Sequence, residues 1–404
     1  MRMHRGRMTR SGRAGRRGRG AGWLLLGAVL LLGACDDDDE VGPQNELPPL
    51  DPELVAEGRE IFRYDTFGDE SFWTDTLRLH EVVQTVDPTT ALAVGLKVDA
   101  SAVPPEVLAN ADLTDPATTV ALLRLDAVVG VQAEVDDQGN ITRLGITCAL
   151  CHSTVDDAVA DGIGNRLDGW PNRDLNVGAI VALSPALDSA SKAKLNSWGP
   201  GYYDAYWNRD GESDPVVIPP AYGLRQVALE TYTGEGPVSY WNAYVAVTQM
   251  HGQGSFADAR LGIAIEREPD LVTPKLPALR EYQFSLEAPP PPDGSFNAAA
   301  AARGQDIFNG VGQCATCHRP ESQFTDAPTL HAAPETGMDG RRAARGTTGR
   351  YRTTPLRGLW QHPPYFHDGS AATLADVVAH YNDVLDLGLT EQQRADLVEY
   401  LKSL

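Results

Sequence analysis

Two copies of a C-x-x-C-H motif constrain this chain more than any other feature of its sequence. In chain order, they are Cys148, Cys151 and His152, then Cys314, Cys317 and His318. Two thiols three positions apart lie on one side of a helical turn, where they can add to the two vinyl groups of one porphyrin. The adjacent histidine can then bind the iron as its proximal ligand. The spacing therefore predicts two covalently bound haem c groups.

Two other kinds of site use similar residues. A thioredoxin-like redox dithiol needs no histidine after its second cysteine, and it usually follows a strand in a βαβ unit, which this sequence does not contain. A zinc site would need a fourth ligand at structural spacing, and none lies near either motif. Haem attachment is therefore the favoured interpretation.

The first 34 residues differ in composition from the rest. They contain eight arginines and no acidic residue, followed by the apolar run 23–32. This pattern predicts a signal peptide over 1–34, since the run is too short to span a bilayer. Residues 32–35 resemble a bacterial lipoprotein cleavage site, and Cys35 is the one cysteine outside the haem motifs. We expect a lipid anchor on Cys35 at the periplasmic face of a bacterial membrane; an ordinary signal peptide cut near Ala34 is the alternative.

The charge balance limits the partners of the chain. Without the eight arginines of the signal peptide, 26 basic residues remain against 55 acidic ones, a formal charge of −29. That sign excludes nucleic acid as a partner. It favours a basic or weakly charged small redox protein as electron donor or acceptor, although a merely solubilising surface explains it equally well.

The fold class expected from the sequence is mainly α, with two cytochrome c-like haem domains. An acidic, proline-bearing tether is predicted over 35–50, and a proline-rich linker over 288–295 separates haem domain 1 (51–287) from haem domain 2 (296–404). Domain 1 carries an insertion over 63–142. Near its end, 128–135 and 140–147 flank the turn 136–139 and predict a β-hairpin.

Four landmarks recur in the same order in both halves, which indicates a duplicated module. Besides the haem motif, 56–62 is repeated as 302–308, 220–226 is paralleled by 355–361, and 279–286 returns as 397–404. In the second half, Thr373 with Asp376 and Thr390 with Gln393 predict the starts of two helices.

The second half resembles a known family most clearly over Ala300–Leu404. Segments 354–359 and 364–374 are similar to the run between second haem and closing helix in the di-haem cytochrome c peroxidase family, including its tyrosine-ligated, protein-oxidising MauG-like relatives. The resemblance implies that Tyr381 ligates the second iron. It also implies that Trp170, in a Gly-Trp segment, relays electrons between the haems, and it leaves Glu235 as the nearest candidate for a distal carboxylate.

The remaining axial ligands stay open at this stage. Met250 and Met338 are the only methionines beyond the signal peptide, one in each module, and either can ligate iron or simply fill a gap in the core. His80 and His251 are further candidates for the first haem. Tyr381 and Trp170 could equally be ordinary buried aromatic residues.

The function expected from these features is a redox protein of the cytochrome c peroxidase type, which passes electrons between two haems to hydrogen peroxide or another oxidant. The alternative is a non-catalytic electron-transfer cytochrome or a subunit of a respiratory chain. In the first case one iron keeps an open axial position, whereas in the second both irons have six ligands.

Overall fold

Helices carry most of the regular structure, and the computed structural model describes residues 47–404. The predicted signal peptide 1–34, Cys35 and most of the tether 35–50 lie outside the described residues. In this part of the chain the α-helices are α1 Pro52–Tyr64, α2 Leu79–Val83, α3 Pro88–Ala93, α4 Pro105–Asn110, α5 Pro116–Arg124, α6 Ala149–His152, α7 Val177–Ala182, α8 Ser189–Asn196, α9 Trp207–Asp210, α10 Val238–Tyr244, α11 Leu276–Ser285, α12 Ala298–Asn309, α13 Ala333–Thr336, α14 Arg341–Arg345, α15 Leu374–Val384 and α16 Glu391–Lys402. The mainly helical class expected from the sequence is confirmed.

The strands are short and form two-stranded sheets. They are β1 Val98–Asp99, β2 Val131–Val135, β3 Ile141–Ile146, β4 Ser153–Val155, β5 Ile163–Gly164, β6 Arg166–Asp168, β7 Tyr202–Tyr203, β8 Val216–Val217, β9 Phe256–Asp258, β10 Ile263–Ile265, β11 Leu330–His331 and β12 Tyr351–Arg352. β1 pairs with β5 in parallel, while β2 with β3, β4 with β6, β7 with β8, β9 with β10 and β11 with β12 are antiparallel.

Helix starts follow the local sequence signals. The side chain of Asp51 accepts a hydrogen bond from the backbone N–H of Glu53 at the start of α1, where a proline occupies the first turn. Both predicted capping boxes are present at α15 and α16, each with its threonine and its third helical residue bonded reciprocally. Such caps satisfy the N–H groups that the first turn of a helix leaves unpaired.

Two close helix crossings repeat the same geometry. α1 crosses α11 at Gly58, where an added Cβ would lie 2.0 Å from the carbonyl oxygen of Ala278. α12 crosses α16 at Gly304, where a Cβ would lie 2.1 Å from the carbonyl oxygen of Asp396. Only glycine permits backbones to approach this closely.

An aromatic pair accompanies each crossing. The ring centroids of Phe62 and Tyr282 are 5.4 Å apart with planes at 62°, and those of Phe308 and Tyr400 are 5.2 Å apart at 67°. Edge-to-face contacts of this kind stabilise a core beyond the burial of area alone. The two crossings match in detail, as the sequence repeat predicts.

The predicted hairpin leads into the first haem motif. β2 and β3 pair with Val131 opposite Ile146, and β3 ends two residues before Cys148. Around it the insertion builds an apolar cluster that contains Leu123 and Leu150, both buried. The insertion therefore packs against the segment that carries the first motif.

Residues Pro49–Leu404 form one compact unit. Between α11 and α12 the chain has no regular secondary structure over 286–297, which includes the predicted linker 288–295. The division into two haem domains at that linker stays a prediction. None of the helices described in 47–404 has the length and apolarity that a bilayer crossing requires.

Candidate haem-binding site

The first C-x-x-C-H motif is held at a strand-to-helix junction. Cys148 precedes the single turn of α6, which ends at His152. Nδ1 of His152 lies 3.1 Å from the carbonyl oxygen of Pro219. A histidine that donates one ring N–H to a carbonyl presents its other nitrogen, here Nε2, as an acceptor for a metal. Burial lowers the pKa of His152 to about 4, so the imidazole is neutral, as a metal ligand must be.

In the second motif the histidine is again bonded to a backbone carbonyl, but the local structure is different. Residues Cys314–Thr316 form a 3-10 turn rather than an α-helical one. Nδ1 of His318 lies 3.0 Å from the carbonyl oxygen of Phe324, and burial lowers the pKa of this histidine as well. Both proximal candidates are therefore oriented by a backbone carbonyl and kept neutral.

The four cysteines of the motifs are free thiols in the described chain. Burial raises the pKa of Cys148 and Cys151 to about 12 and that of Cys314 to about 11. This donor set of two thiols and one neutral imidazole fits a haem c at each motif.

One cavity of about 710 Å³ passes both motifs. All six motif residues line it, and most of its wall is apolar. The walls near the first motif include residues of the insertion, such as Trp73, Leu77 and Leu79, as well as Val177 and Ile180 of α7. An apolar, largely enclosed wall is what a porphyrin face needs.

Tyr381, the predicted ligand of the second iron, lies on α15 and lines this cavity. Burial raises its pKa to about 12, and the thiols of Cys317 and Cys314 add to that rise. Tyr381 therefore lies beside the second motif, and its ligation of the second iron stays a prediction. Met338, the other candidate in this half, lines the cavity too.

Near the first motif, the wall contains an irregular helical turn. Residues Val245–Gln249 form a π-helix, a local distortion that is frequent at functional sites, and Met250 follows it directly. Met250 is 4% exposed and lines the cavity, as does His251. The imidazole of His251 stacks on Phe72 with ring centroids 3.6 Å apart. Both Met250 and His251 stay candidates for the first axial position.

Three other candidates do not line the cavity, within the part of the chain that the structure covers. Trp170 packs edge-to-face on Trp360 with centroids 5.9 Å apart. Glu235 is buried and accepts a hydrogen bond of 2.9 Å from the hydroxyl of Tyr206. His80 is half-buried in α2. The electron-relay role of Trp170 stays a prediction.

A set of metal-type ligands also includes one motif residue. Cys317, Asp326 and His331 each offer an atom within 4.8 Å of the others. Nε2 of His331 is 3.0 Å from Oδ2 of Asp326, so two of the three already bond one another. Three ligands without His318 are not the closed set of four that structural zinc requires.

Two cavity features were missed by the sequence reasoning. The ion pair between Arg352 and Glu230, with Nη1 and Oε2 3.0 Å apart, is buried in the wall. Arg173 and His362 form a second polar spot, joined by a bond of 2.9 Å from Nη2 of Arg173 to the carbonyl oxygen of His362. Arg173 and His362 are 189 positions apart in the sequence, so no local pattern predicts their contact, although Arg173 lies only three positions after Trp170.

Comparison with known proteins supports haem attachment. The family model for cytochrome c matches residues 301–404. Cytochrome-c peroxidase IdrP1 of Denitromonas iodatirespirans is 29% identical over 157 residues, which cover 28% of this chain and 42% of that protein. Methylamine utilization protein MauG of Methylorubrum extorquens is 31% identical over 129 residues, which cover 28% of this chain and 36% of that protein. Hydrazine synthase subunit gamma of Kuenenia stuttgartiensis is 31% identical over 176 residues, 32% of this chain and 49% of the subunit.

Solved structures show only a weak overall likeness. A MauG-like protein associated with microbial copper homeostasis has a TM-score of 0.34 and 21% identity, over 48% of this chain and 74% of that one. Similarity at this level carries no inference about activity.

These similarities identify the kind of domain that the chain contains and its distant relatives. The chain contains a cytochrome c domain, carries at least one haem c, and is distantly homologous to di-haem cytochrome c peroxidases, MauG and the gamma subunit of hydrazine synthase. The matched stretches span less than half the length of each of these relatives.

Proposed function

We propose that this chain is a di-haem c-type cytochrome of the cytochrome c peroxidase type, which passes electrons between two haems to peroxide or another oxidant. One observation carries the proposal: both C-x-x-C-H motifs open into the same cavity, and each presents a neutral, carbonyl-oriented histidine. A haem c bound at each motif would supply one-electron redox chemistry at its iron.

The residues of the chain give each site a defined task. His152 and His318 are fixed in one ring orientation by the carbonyls of Pro219 and Phe324, which favours binding through Nε2. Electrostatic interactions are stronger beside an apolar wall of this kind than in water, because the wall screens charges less. Tyr381 of α15 lines the cavity at the second site, where its hydroxyl oxygen would serve as the second protein ligand of that iron.

A second candidate function is a non-catalytic electron carrier. Met250 favours it, because this thioether is buried at the wall of the cavity near the first motif and could close the axial position that an oxidant needs. With Met250 at one site and Tyr381 at the other, no open position would remain for peroxide.

Partner and location belong to the same proposal. We expect a small basic or weakly charged redox protein as electron donor, attracted by the formal charge of −29 that remains without the signal peptide. A lipid on Cys35 would hold the protein at the periplasmic face of a bacterial membrane.

Electron paramagnetic resonance and absorption spectra of the ferric protein, before and after hydrogen peroxide, separate the two functions. A high-spin signal that disappears on addition of peroxide supports the peroxidase type. Two low-spin haems that do not react with peroxide would contradict it and leave the carrier. The variant Met250→Leu, which keeps the apolar volume without the sulfur, is the matched test: in the carrier it should convert one low-spin haem to high spin.

A further inference from the structure

Arg173 is a cation without an acidic partner in a largely apolar cavity. Four arginines line the cavity, and Arg342 and Arg352 are paired with Asp204 and Glu230. A third, Arg357, is exposed to solvent. Arg173 is half-buried and forms no ion pair with any described residue, and its Nε and Nη1 atoms are enclosed without a hydrogen-bond acceptor.

The neutral groups around Arg173 do not compensate its charge. The ionisable side chains that act most strongly on it are tyrosines, Tyr232, Tyr222, Tyr202 and Tyr365. Burial raises the pKa of each of them, so all four remain protonated near pH 7. A buried cation surrounded by neutral groups is costly unless an anion accompanies it.

His362 adds a second unused polar group at the same place. Its backbone carbonyl accepts the bond from Nη2 of Arg173, while its ring is 7% exposed and lines the cavity. Nε2 of the ring has no partner among the described residues. Burial lowers the pKa of His362 to about 3, so the neutral ring has one N–H to donate. A guanidinium with unused N–H groups and a neutral ring N–H in the wall of the same cavity suit a carboxylate.

Arg173 lies where groups from both halves of the chain meet. The neighbouring backbone N–H of Asn172 donates to the carbonyl oxygen of Cys151 in the first motif, at 2.9 Å. His362 follows the 3-10 turn Leu359–Gln361, in the half that carries the second motif. A carboxylate bound here would therefore be close to protein segments of both sites.

We propose that Arg173, together with the ring of His362, binds a propionate carboxylate of a haem held in this cavity. The inference rests on the proposed di-haem function, because that cofactor brings the anion. It assigns Arg173 a positioning and electrostatic role, since a cation beside the haem stabilises the reduced state relative to the oxidised one.

Potentiometric titration of the holoprotein tests the proposal. Arg173→Gln should lower one of the two midpoint potentials, changing that oxidation equilibrium about tenfold, which is about 59 mV for one electron. Arg173→Lys keeps the charge and should recover most of the shift. Arg59→Gln removes an exposed arginine of α1 and should leave both potentials unchanged. Potentials in Arg173→Gln equal to those of the Arg59 control would overturn the proposal.

Haem content measured on the same samples keeps this outcome separate from that of the proposed function. A wild-type protein with fewer than two haems refutes the di-haem proposal, whereas two haems with unchanged potentials refute only the role of Arg173. If Arg173→Gln does not fold, resonance Raman spectra of Arg173→Lys decide the matter: the propionate deformation band must shift, because the ammonium group of lysine cannot reproduce the planar set of N–H donors of a guanidinium. An unchanged band overturns the proposal.

Discussion

The proximal histidines show how much of this site is decided by single residues. His152 and His318 belong to local structures of different type, yet each bonds a backbone carbonyl through Nδ1. The carbonyl acceptors belong to Pro219, 67 residues along the chain from His152, and to Phe324, six residues from His318. The sequence motif therefore specifies the ligand, and the surrounding chain specifies its orientation.

Tyr381 provides a prediction at the scale of one hydroxyl group. If its phenol reaches the second iron, Tyr381→Phe will change the absorption and paramagnetic resonance spectra of one haem and leave the other as it was. Tyr400→Phe is the matched control, because Tyr400 lies in the same half, packs on Phe308, and does not line the cavity. Identical spectra for the two variants would remove Tyr381 as a ligand and direct attention to Met338.

Asp69 predicts a pH dependence of stability. This buried carboxyl accepts hydrogen bonds from the indole of Trp73 and the backbone of Ile146, but burial raises its pKa to about 9. Between about pH 4, the pKa of an aspartate in an unfolded chain, and about pH 9, the carboxyl of Asp69 is protonated in the folded chain and ionised in the unfolded one. The stability that this proton contributes is therefore present at low pH and is lost as pH rises through this window.

The variant Asp69→Asn should therefore show a smaller fall in melting temperature between about pH 5 and pH 8 than the wild type does. Asp137→Asn, in the exposed turn of the hairpin, should follow the wild-type curve. Thermal denaturation monitored by circular dichroism gives both slopes. Parallel curves for all three proteins would show that the carboxyl of Asp69 does not titrate as proposed.

The covalent part of the site could be predicted from the sequence, whereas its lining could not. Four cysteines and two histidines are recognisable because covalent attachment demands a fixed local spacing. Arg173 and His362, by contrast, meet across 189 residues, and only packing brings them together. Met250 and Tyr381 are intermediate cases. The sequence predicts both as candidate iron ligands, and the structure places both in the wall of the cavity.

At the scale of elements, the molecule is organised by two helix crossings. α1 with α11 and α12 with α16 each use a glycine at closest approach and an aromatic pair beside it. In the chain, α12 comes directly before the second haem motif. The insertion separates α1 from the first motif, but the hydroxyl of Thr147, next to Cys148, donates a hydrogen bond of 3.0 Å to the carbonyl oxygen of Arg63 in α1. The geometry of each crossing therefore supports the segment that carries the cysteines.

Gly304→Ala should destabilise the protein through this crossing. The added Cβ would lie 2.1 Å from the carbonyl oxygen of Asp396, so the two helices must move apart, at a cost of about 1–3 kcal/mol or more in the free energy of unfolding. Gly340→Ala is the control, since its Cβ would find Ala333 at an ordinary 3.6 Å and its backbone has a negative φ. Chemical denaturation of the two variants measures the difference; equal stabilities would contradict the close contact.

Elements with strong local signals were predicted well. The hairpin, α15 and α16 all appear where the turn and the two capping boxes predict them. The π-helix Val245–Gln249 could not be predicted, because its register depends on packing against the rest of the core rather than on local propensity. The strands β7 and β8 could not be predicted either, because each has only two residues, too few to show an alternating pattern.

At the scale of the whole molecule, the acidic surface leads to a prediction about electron exchange. With a basic small cytochrome c as reductant, the second-order rate should fall as ionic strength rises from about 0.01 M to 0.15 M, because the Debye length shrinks from about 30 Å to 8 Å. Reduction by an uncharged hydroquinone serves as the control and should not change. A rate with the basic cytochrome that is insensitive to salt would contradict electrostatic steering.

The account depends most directly on the number of haems that each chain carries. Intact-mass spectrometry and a haemochromogen assay should be made on the protein produced with haem-maturation machinery, alongside a variant with Cys148 and Cys151 both changed to serine. We predict two covalently bound haems per wild-type chain and one in the variant. One haem or none in the wild type, or the same number in both proteins, would contradict the account.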